Sequence, residues 1–164
     1  MTTTISGTDG VSAHATGSVV QQDIGDNVVG KGPCFLANRI TSSISVASGP
    51  TALPYNNKTF DTNNNYNTST GTFTASIAGY YNFSASCYFT ELTAPVHLSF
   101  LKNGTIAANG NFNAMVGTVS IVALNALLYL GVNDTVFTAF YGSGATLQAQ
   151  PENSRFSGFL VRAA

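Results

Sequence analysis

From Lys31 to the C-terminus, aromatic and β-branched residues alternate with Ser, Thr and Asn, and Gly or Asn interrupts the alternation roughly every 8–12 residues. Successive side chains of a strand point to opposite faces, so a two-residue period builds half-buried strands and cannot build an amphipathic helix. The pattern predicts strands over Cys34–Arg39, Ser42–Ala47, Asn57–Asp61, Thr72–Ala75, Gly79–Thr90, Val96–Lys102, Thr118–Leu130, Thr135–Tyr141 and Arg155–Arg162. Turn chemistry separates them. Asn103-Gly104 is a favoured type I′ pair, and Gly131 leads into Val132-Asn133-Asp134. The run Asn63-Asn64-Asn65, with Asn67, also reads as turn chemistry, because short amide side chains bond their own backbone and tolerate positive φ. An all-β sandwich follows.

One predicted strand departs from the pattern. Between Thr118 and Leu130 one face carries Ser120, Val122, Leu124, Ala126, Leu128 and Leu130. The other carries Val119, Ile121, Ala123, Asn125, Leu127 and Tyr129. An antiparallel sheet in a monomer usually keeps one face polar for water. Here both are largely apolar, which predicts a subunit interface built on Val119, Ile121, Leu127 and Tyr129, with cover by a loop of the same chain as the alternative.

Residues 1–30 lack this character. They are rich in Gly, Ser, Thr and Asp, their apolar residues come in short pairs such as Val19-Val20, and no Phe or Tyr occurs before Phe35. Such a segment cannot build a core, so residues 1–30 are expected to be an attachment arm or linker and residues 31–164 the folded domain. The whole chain, at 164 residues, has room for one ordinary domain.

Composition excludes several functions. Charged residues make up 8% of the chain, against about 25% in an ordinary soluble domain. Polarity comes instead from Thr, Ser and Asn, which supply 52 of the 164 residues. Six scattered cations and a net charge of −1 offer no basic patch for nucleic acid. The best apolar run, Val119–Leu130, is too short for a helical membrane span and is broken by Ser120 and Asn125. The opening Met1-Thr2-Thr3-Thr4-Ile5 lacks the n- and h-regions of a secretory signal, which favours assembly inside a cell over a trimmed leader.

Catalytic patterns are missing: there is no G-x-S-x-G, no G-x-x-x-x-G-K and no H-E-x-x-H. Gly142-Ser143-Gly144 reads as a turn. Cys87 falls on the alternating face Tyr81, Phe83, Ala85, Cys87, Phe89, where a thiol is inert core, and Cys34 is also read as structural. His14 lies in the arm and His97 opens a strand. The seven carboxylates are dispersed; a glycosidase pair such as Asp61 with Asp134 is conceivable, yet nothing selects it. No enzyme, cofactor or metal site is expected. The five Asn-x-Ser/Thr triplets, at Asn57, Asn67, Asn82, Asn103 and Asn133, are the chance product of this composition.

Specific spacings also carry a resemblance. Asp61 precedes Tyr66 by five residues and Tyr66 precedes Phe73 by seven. Phe73-Thr74-Ala75-Ser76-Ile77-Ala78-Gly79-Tyr80-Tyr81-Asn82-Phe83 has the form F-x5-G-x-Y-x-F. Leu101-Lys102-Asn103-Gly104, Leu128 to Val136 and the closing Phe156-Ser157-Gly158-Phe159-Leu160 follow in order. From about residue 33 onward the chain resembles the globular domain of complement component 1q, a jelly roll related to the tumour necrosis factor fold. Tyr55, where that family usually has Phe, and Ala85, where it usually has an aromatic, are departures that thin the aromatic core. Upstream there is no Gly-X-Y collagen repeat. Instead the opening Thr3 to Val11, joined to Gly32-Pro33-Cys34-Phe35, resembles phage and prophage tail or virion proteins.

The resemblance implies a homotrimer of ten-stranded antiparallel jelly rolls that recognises a ligand without catalysis. Some family members bind calcium, but the thin acid content here transfers no ligand set. Counting strand directions from the base places Ser76–Ala78, Gly104–Gly117 and Gly142–Ser154 at the far end. The two long connections carry Asn109, Asn111, Phe112, Asn113 and Met115, then Gln148, Gln150, Glu152 and Asn153. Amides both donate and accept, and aromatics stack on sugars, so Asn109, Asn111, Phe112, Asn113, Gln148 and Gln150 are the candidate receptor-binding residues. The expected protein is a phage tail-fibre or virion-surface component. Its partners would be other copies of itself, further tail proteins through the arm, and a host surface glycan or protein. A secreted or cell-surface complement-type adhesion module is the alternative.

Overall fold

The computed structural model describes residues 32–46, 48–50, 52–92, 96–110, 117–142 and 145–164. The expected arm, residues 1–30, lies outside the described residues.

Twelve strands occur in them, and no helix: β1 (Cys34–Asn38), β2 (Ile44–Val46), β3 (Asn57–Asp61), β4 (Tyr66–Asn67), β5 (Thr72–Thr74), β6 (Gly79–Leu92), β7 (His97–Lys102), β8 (Thr105–Asn109), β9 (Gly117–Leu130), β10 (Thr135–Tyr141), β11 (Ala145–Leu147) and β12 (Arg155–Ala163). They form a sandwich. One sheet has the order β2-β11-β6-β12-β1-β3 with β9 paired to the other edge of β6, and the second has the order β4-β5-β10-β7-β8. Every pairing is antiparallel, as a jelly roll requires.

All nine strands expected from the alternation are present, and two, β3 and β10, have the expected bounds. Three short ones lay outside the pattern: β4, β8 and β11. Their two to five residues are too few to display a period, and β8, Thr105 to Asn109, puts small side chains where an alternating strand puts large ones. Asn103 and Gly104 adopt φ of 50° and 80°, the positive values of a type I′ turn, and β8 is the strand that this hairpin turn returns.

The core lies between the sheets. Tyr81, Phe83, Ala85, Cys87 and Phe89 of β6 all point into it, as the alternation demands. Phe35 is its hub, with ring centroids 5.0 Å from those of Tyr66, Phe73 and Phe156. Tyr55 fits without penalty because Thr138 donates a hydrogen bond of 3.2 Å to its hydroxyl, and the Cys87 sulfur lies 3.0 Å away.

Registers define two ends. Gly79 pairs with Leu130 of β9 and Ala163 of β12, so one end holds Gly32, the C-terminus and the connections around Thr62–Asn65, Ala75–Ala78, Asn103-Gly104 and Gly131–Asp134. At the other end Leu92 pairs with Gly117 and Ala145 with Val46. This corrects the count of directions. β4 reverses the chain once more than the alternation shows and puts Ser76–Ala78 beside Gly32 and the C-terminus, opposite the expected end. β8 reverses it again, so from β9 onward the expected directions hold.

Candidate interaction surfaces

The sheet that contains β6 and β9 has one face in the core and one facing outward. Along β9, Val122, Leu124 and Leu130 are buried, whereas Ile121, Leu127 and Tyr129 are 56%, 58% and 49% exposed. Three of the four residues expected at an interface, Ile121, Leu127 and Tyr129, therefore stand in the open, and among the described residues no segment of the chain covers them. Val119 pairs by its backbone with Thr90, but its side chain lies outside the described residues.

Alternation on the neighbouring strands adds residues that the sequence did not single out. Tyr80 of β6, Phe159 of β12 and Phe60 of β3 are exposed on the same face. The signal was available: Phe159 is out of phase with the buried Phe156 and Leu160, as Tyr80 is with Tyr81. Tyr80 and Tyr129 meet edge to face at 5.4 Å. Between the apolar groups, Asn125 donates to Asn82 at 2.9 Å, which pairs one donor and one acceptor that any partner would desolvate. The face is also sculpted. A hollow of about 330 Å³ opens between β1, β3 and β12, lined by Cys34, Leu36, Phe60, Arg155 and Phe159. Burial pushes the Cys34 thiol above its ordinary pKa, so it sits there as a small apolar group.

The far end differs from expectation. Asn109 lies on β8 and not in a loop, and Ser99 donates to its Oδ1 at 2.6 Å. Gln148 donates from Nε2 to Thr90 at 2.7 Å and accepts from Ser43 at 2.7 Å. Gln150 accepts from Asn153 at 3.1 Å. Gln148 and Gln150 hold the chain where β11 and its continuation run back along β6, and Asn109 ties β8 to β7 in the other sheet. Asn111, Phe112 and Asn113 lie outside the described residues.

The groups able to do chemistry are engaged. Cys87 is fully buried; desolvation pushes its pKa up to about 12, against a smaller downward pull from its contact with Tyr55. His97 stacks on Tyr141 at 5.1 Å, and burial lowers its pKa. The Asp61 carboxylate accepts from the Asn65 and Tyr66 amides at 2.9 Å and from Lys58 at 3.2 Å. Asp134 pairs with Lys102 at 2.8 Å and accepts from Asn103 and the Gly131 amide, each at 2.7 Å. Lys102 first, then Asn103 and Gly131, hold its pKa down to about 2. Both carboxylates brace turns, which removes the pair considered for glycoside hydrolysis. Among the described residues no three His, Cys, Asp or Glu side chains gather as metal ligands, and no helix is long and apolar enough to cross a membrane.

The family description "C1q domain" matches residues 34–161. Among solved structures, the globular domain of zebrafish complement 1qA protein is similar with a TM-score of 0.62 at 19% identity, covering 81% of this chain and 99% of its own. Eiger TNF from S. frugiperda aligns with a TM-score of 0.67 at 12% identity, over 81% of this chain and 94% of its own. Murine APRIL aligns with a TM-score of 0.64 at 10% identity, over 80% and 100%. No curated protein sequence matches the chain.

Proposed function

This chain belongs to the C1q domain family, and from that membership we propose that it works as a homotrimeric recognition module whose protomers join through the outward face of the β6–β9 sheet. Domains of this family are non-enzymatic binding modules that form homotrimers. The observation that carries the assignment of the face is the exposed row Ile121, Leu127 and Tyr129, together with Tyr80, Phe60 and Phe159. Monomeric proteins rarely expose contiguous apolar patches of more than a few hundred Å², and covering this one is the main favourable term for assembly. The row on β9 and the hollow beside Phe60 are different patches of one face. Unlike patches that meet head to tail close into a ring, which is how three copies satisfy one another. Light scattering should give the mass of three chains, and Leu127→Asp should give monomer; a wild-type monomer would overturn the reading.

The narrower role we propose is that of a phage tail-fibre or virion-surface component contacting the host, attached through residues 1–30. Its support is the likeness of the opening Thr3 to Val11 to such proteins, and a surface made polar by uncharged side chains, which three identical copies can share without like-charge repulsion. Binding of labelled protein to intact bacterial cells, weakened by Asn111→Ala with Asn113→Ala, tests it. The family match favours a second reading equally, a secreted or cell-surface complement-type module, since domains of this family are typically extracellular. Finding a processed N-terminus in the native source would select that reading.

A further inference from the structure

A cleft of about 510 Å³ opens at the β4 edge of the second sheet, at the end that holds Gly32 and the C-terminus. Its wall comes from the Thr62–Asn65 connection, the turn after β4, Ser76 and Asn133. The orientation of the amides there is fixed by partners that can only donate. Lys58 places its ammonium 2.7 Å from Asn64 Oδ1. The backbone N–H groups of Ser69 and Thr70 donate to Asn67 Oδ1 at 2.8 and 3.3 Å. Both oxygens are thus engaged by the fold, and each Nδ2, with two hydrogens, is left for the cleft. The Asn133 side chain, carried on a turn residue with φ of 69°, makes no hydrogen bond to a described residue. Thr68 adds a hydroxyl.

The cleft therefore presents donors. Lys58 brings its ammonium to the cleft lining, while the Asp61 carboxylate it pairs with at 3.2 Å lies behind it, its side chain only 4% exposed. A ligand that fits must be rich in acceptors, and an anionic group gains most from ammonium and amide donors. The donors are spread along a wall and do not converge on a point, and the volume is in the range of small-molecule sites, beyond what a lone inorganic anion fills. The aromatic residue of the lining, Tyr66, turns its ring into the core against Phe35. The lining is mostly polar, so an apolar ligand would be poorly covered.

We propose that this cleft binds a carboxylate-bearing saccharide, with Asn64, Asn67 and Asn133 donating to ring, hydroxyl and carboxylate oxygens and Lys58 facing the carboxylate. The site is separate from the apolar face and does not depend on the trimer or on the host-attachment role.

The structure supplies its own surgical variants. Asn64→Asp and Asn67→Asp keep the accepting oxygen that Lys58 or the turn amides need, and replace the outward donor with an acceptor. The full chain, labelled with nitrogen-15, is titrated with trigalacturonate, with galactotriose as the neutral probe and sulfate as the inorganic one. The expected result is saturable movement of the Asn64, Asn67 and Asn133 side-chain amide signals with trigalacturonate. Each variant should weaken that binding about tenfold, as loss of a charge-assisted hydrogen bond does, with an unchanged melting temperature. Unmoved signals would overturn the proposal. So would galactotriose or sulfate binding as tightly as trigalacturonate, or folded variants that bind like the parent.

Discussion

Two regions of this molecule are rich in side-chain amides, and they differ in how much of each amide the fold consumes. At the far end, Asn109, Gln148 and Gln150 are drawn into bonds with Ser99, Thr90, Ser43 and Asn153. Near Gly32 and the C-terminus, Asn64 and Asn67 spend their oxygens on the fold and turn their nitrogens outward. What sets the far end apart is Gln148, which engages both its oxygen and its nitrogen, whereas Asn109 and Gln150, like Asn64 and Asn67, engage the oxygen. An amide is a binding group only to the extent that its own turn leaves one end free. Turns built on Asx geometry do so systematically, because the backbone has N–H groups to satisfy and takes the oxygen.

That contrast can be broken most severely at Asp61, which organises the cleft from behind. Asp61→Ala orphans the Asn65 and Tyr66 amides and leaves Lys58 with Asn64 alone. Hydrogen bonds to a charged group are worth about 1.5–3 kcal/mol each, so a loss of about 3 kcal/mol is expected. At about 2–4 °C per kcal/mol for a chain of this size, a melt at fixed protein concentration resolves it. A change of under a degree would mean that the turn is held by something else. Gln148→Ala is the matching test at the far end. It removes two neutral hydrogen bonds, to Thr90 and Ser43, and is expected to cost about 1–2 kcal/mol, read from a denaturant midpoint. A neutral result, coupled with lost cell binding, would return Gln148 to the receptor-binding set.

How much of this was legible in the sequence follows from the same physics. Alternation reports burial, so the core face of β6 and the exposed row of β9 could be read residue by residue, and both stand where the period put them. The spacing from Asp61 through Phe83 carried the family, since it encodes a turn, an aromatic hub and a strand start that depend on one another. Short strands could not be read. β4 is two residues long, yet missing it inverted the end assigned to Ser76–Ala78. Amide orientation could not be read either, because it depends on Lys58 lying six positions before Asn64 across a turn, at a distance the sequence does not state. The Asn run was rightly read as turn chemistry, and the cleft is a consequence of that chemistry.

Asn67 offers a finer test of the same idea. Asn67→Ala removes the acceptor for the Ser69 and Thr70 amides and is expected to cost about 1 kcal/mol, in line with loss of a helix cap, where a side-chain oxygen meets backbone N–H groups in the same way. Asn67→Asp retains it and should leave the midpoint where it was. If the two variants melt alike, the oxygen is not what the turn needs, and the account of why the nitrogen faces outward fails.

The smallest effect is expected from acid, at the other wall of the cleft. Asn133 is held by the Gly131–Asp134 turn, and Asp134 is held by Lys102, Asn103 and the Gly131 amide. Its folded pKa, about 2, lies below the value near 3.9 of an unfolded aspartate. The folded state therefore binds the proton more weakly. The stabilisation from Asp134 is complete above pH 4 and is lost as the pH falls from about 4 toward 2. Asp134 is partly exposed, so screening by water and salt keeps the contribution small. Comparing the melting temperature of the parent with that of Asp134→Asn across this range should show two curves that converge as the pH approaches 2, with the parent higher above pH 4. Parallel curves would mean that the carboxylate does not secure the turn, and that Asn133 is positioned by its backbone bond to Ala75 alone.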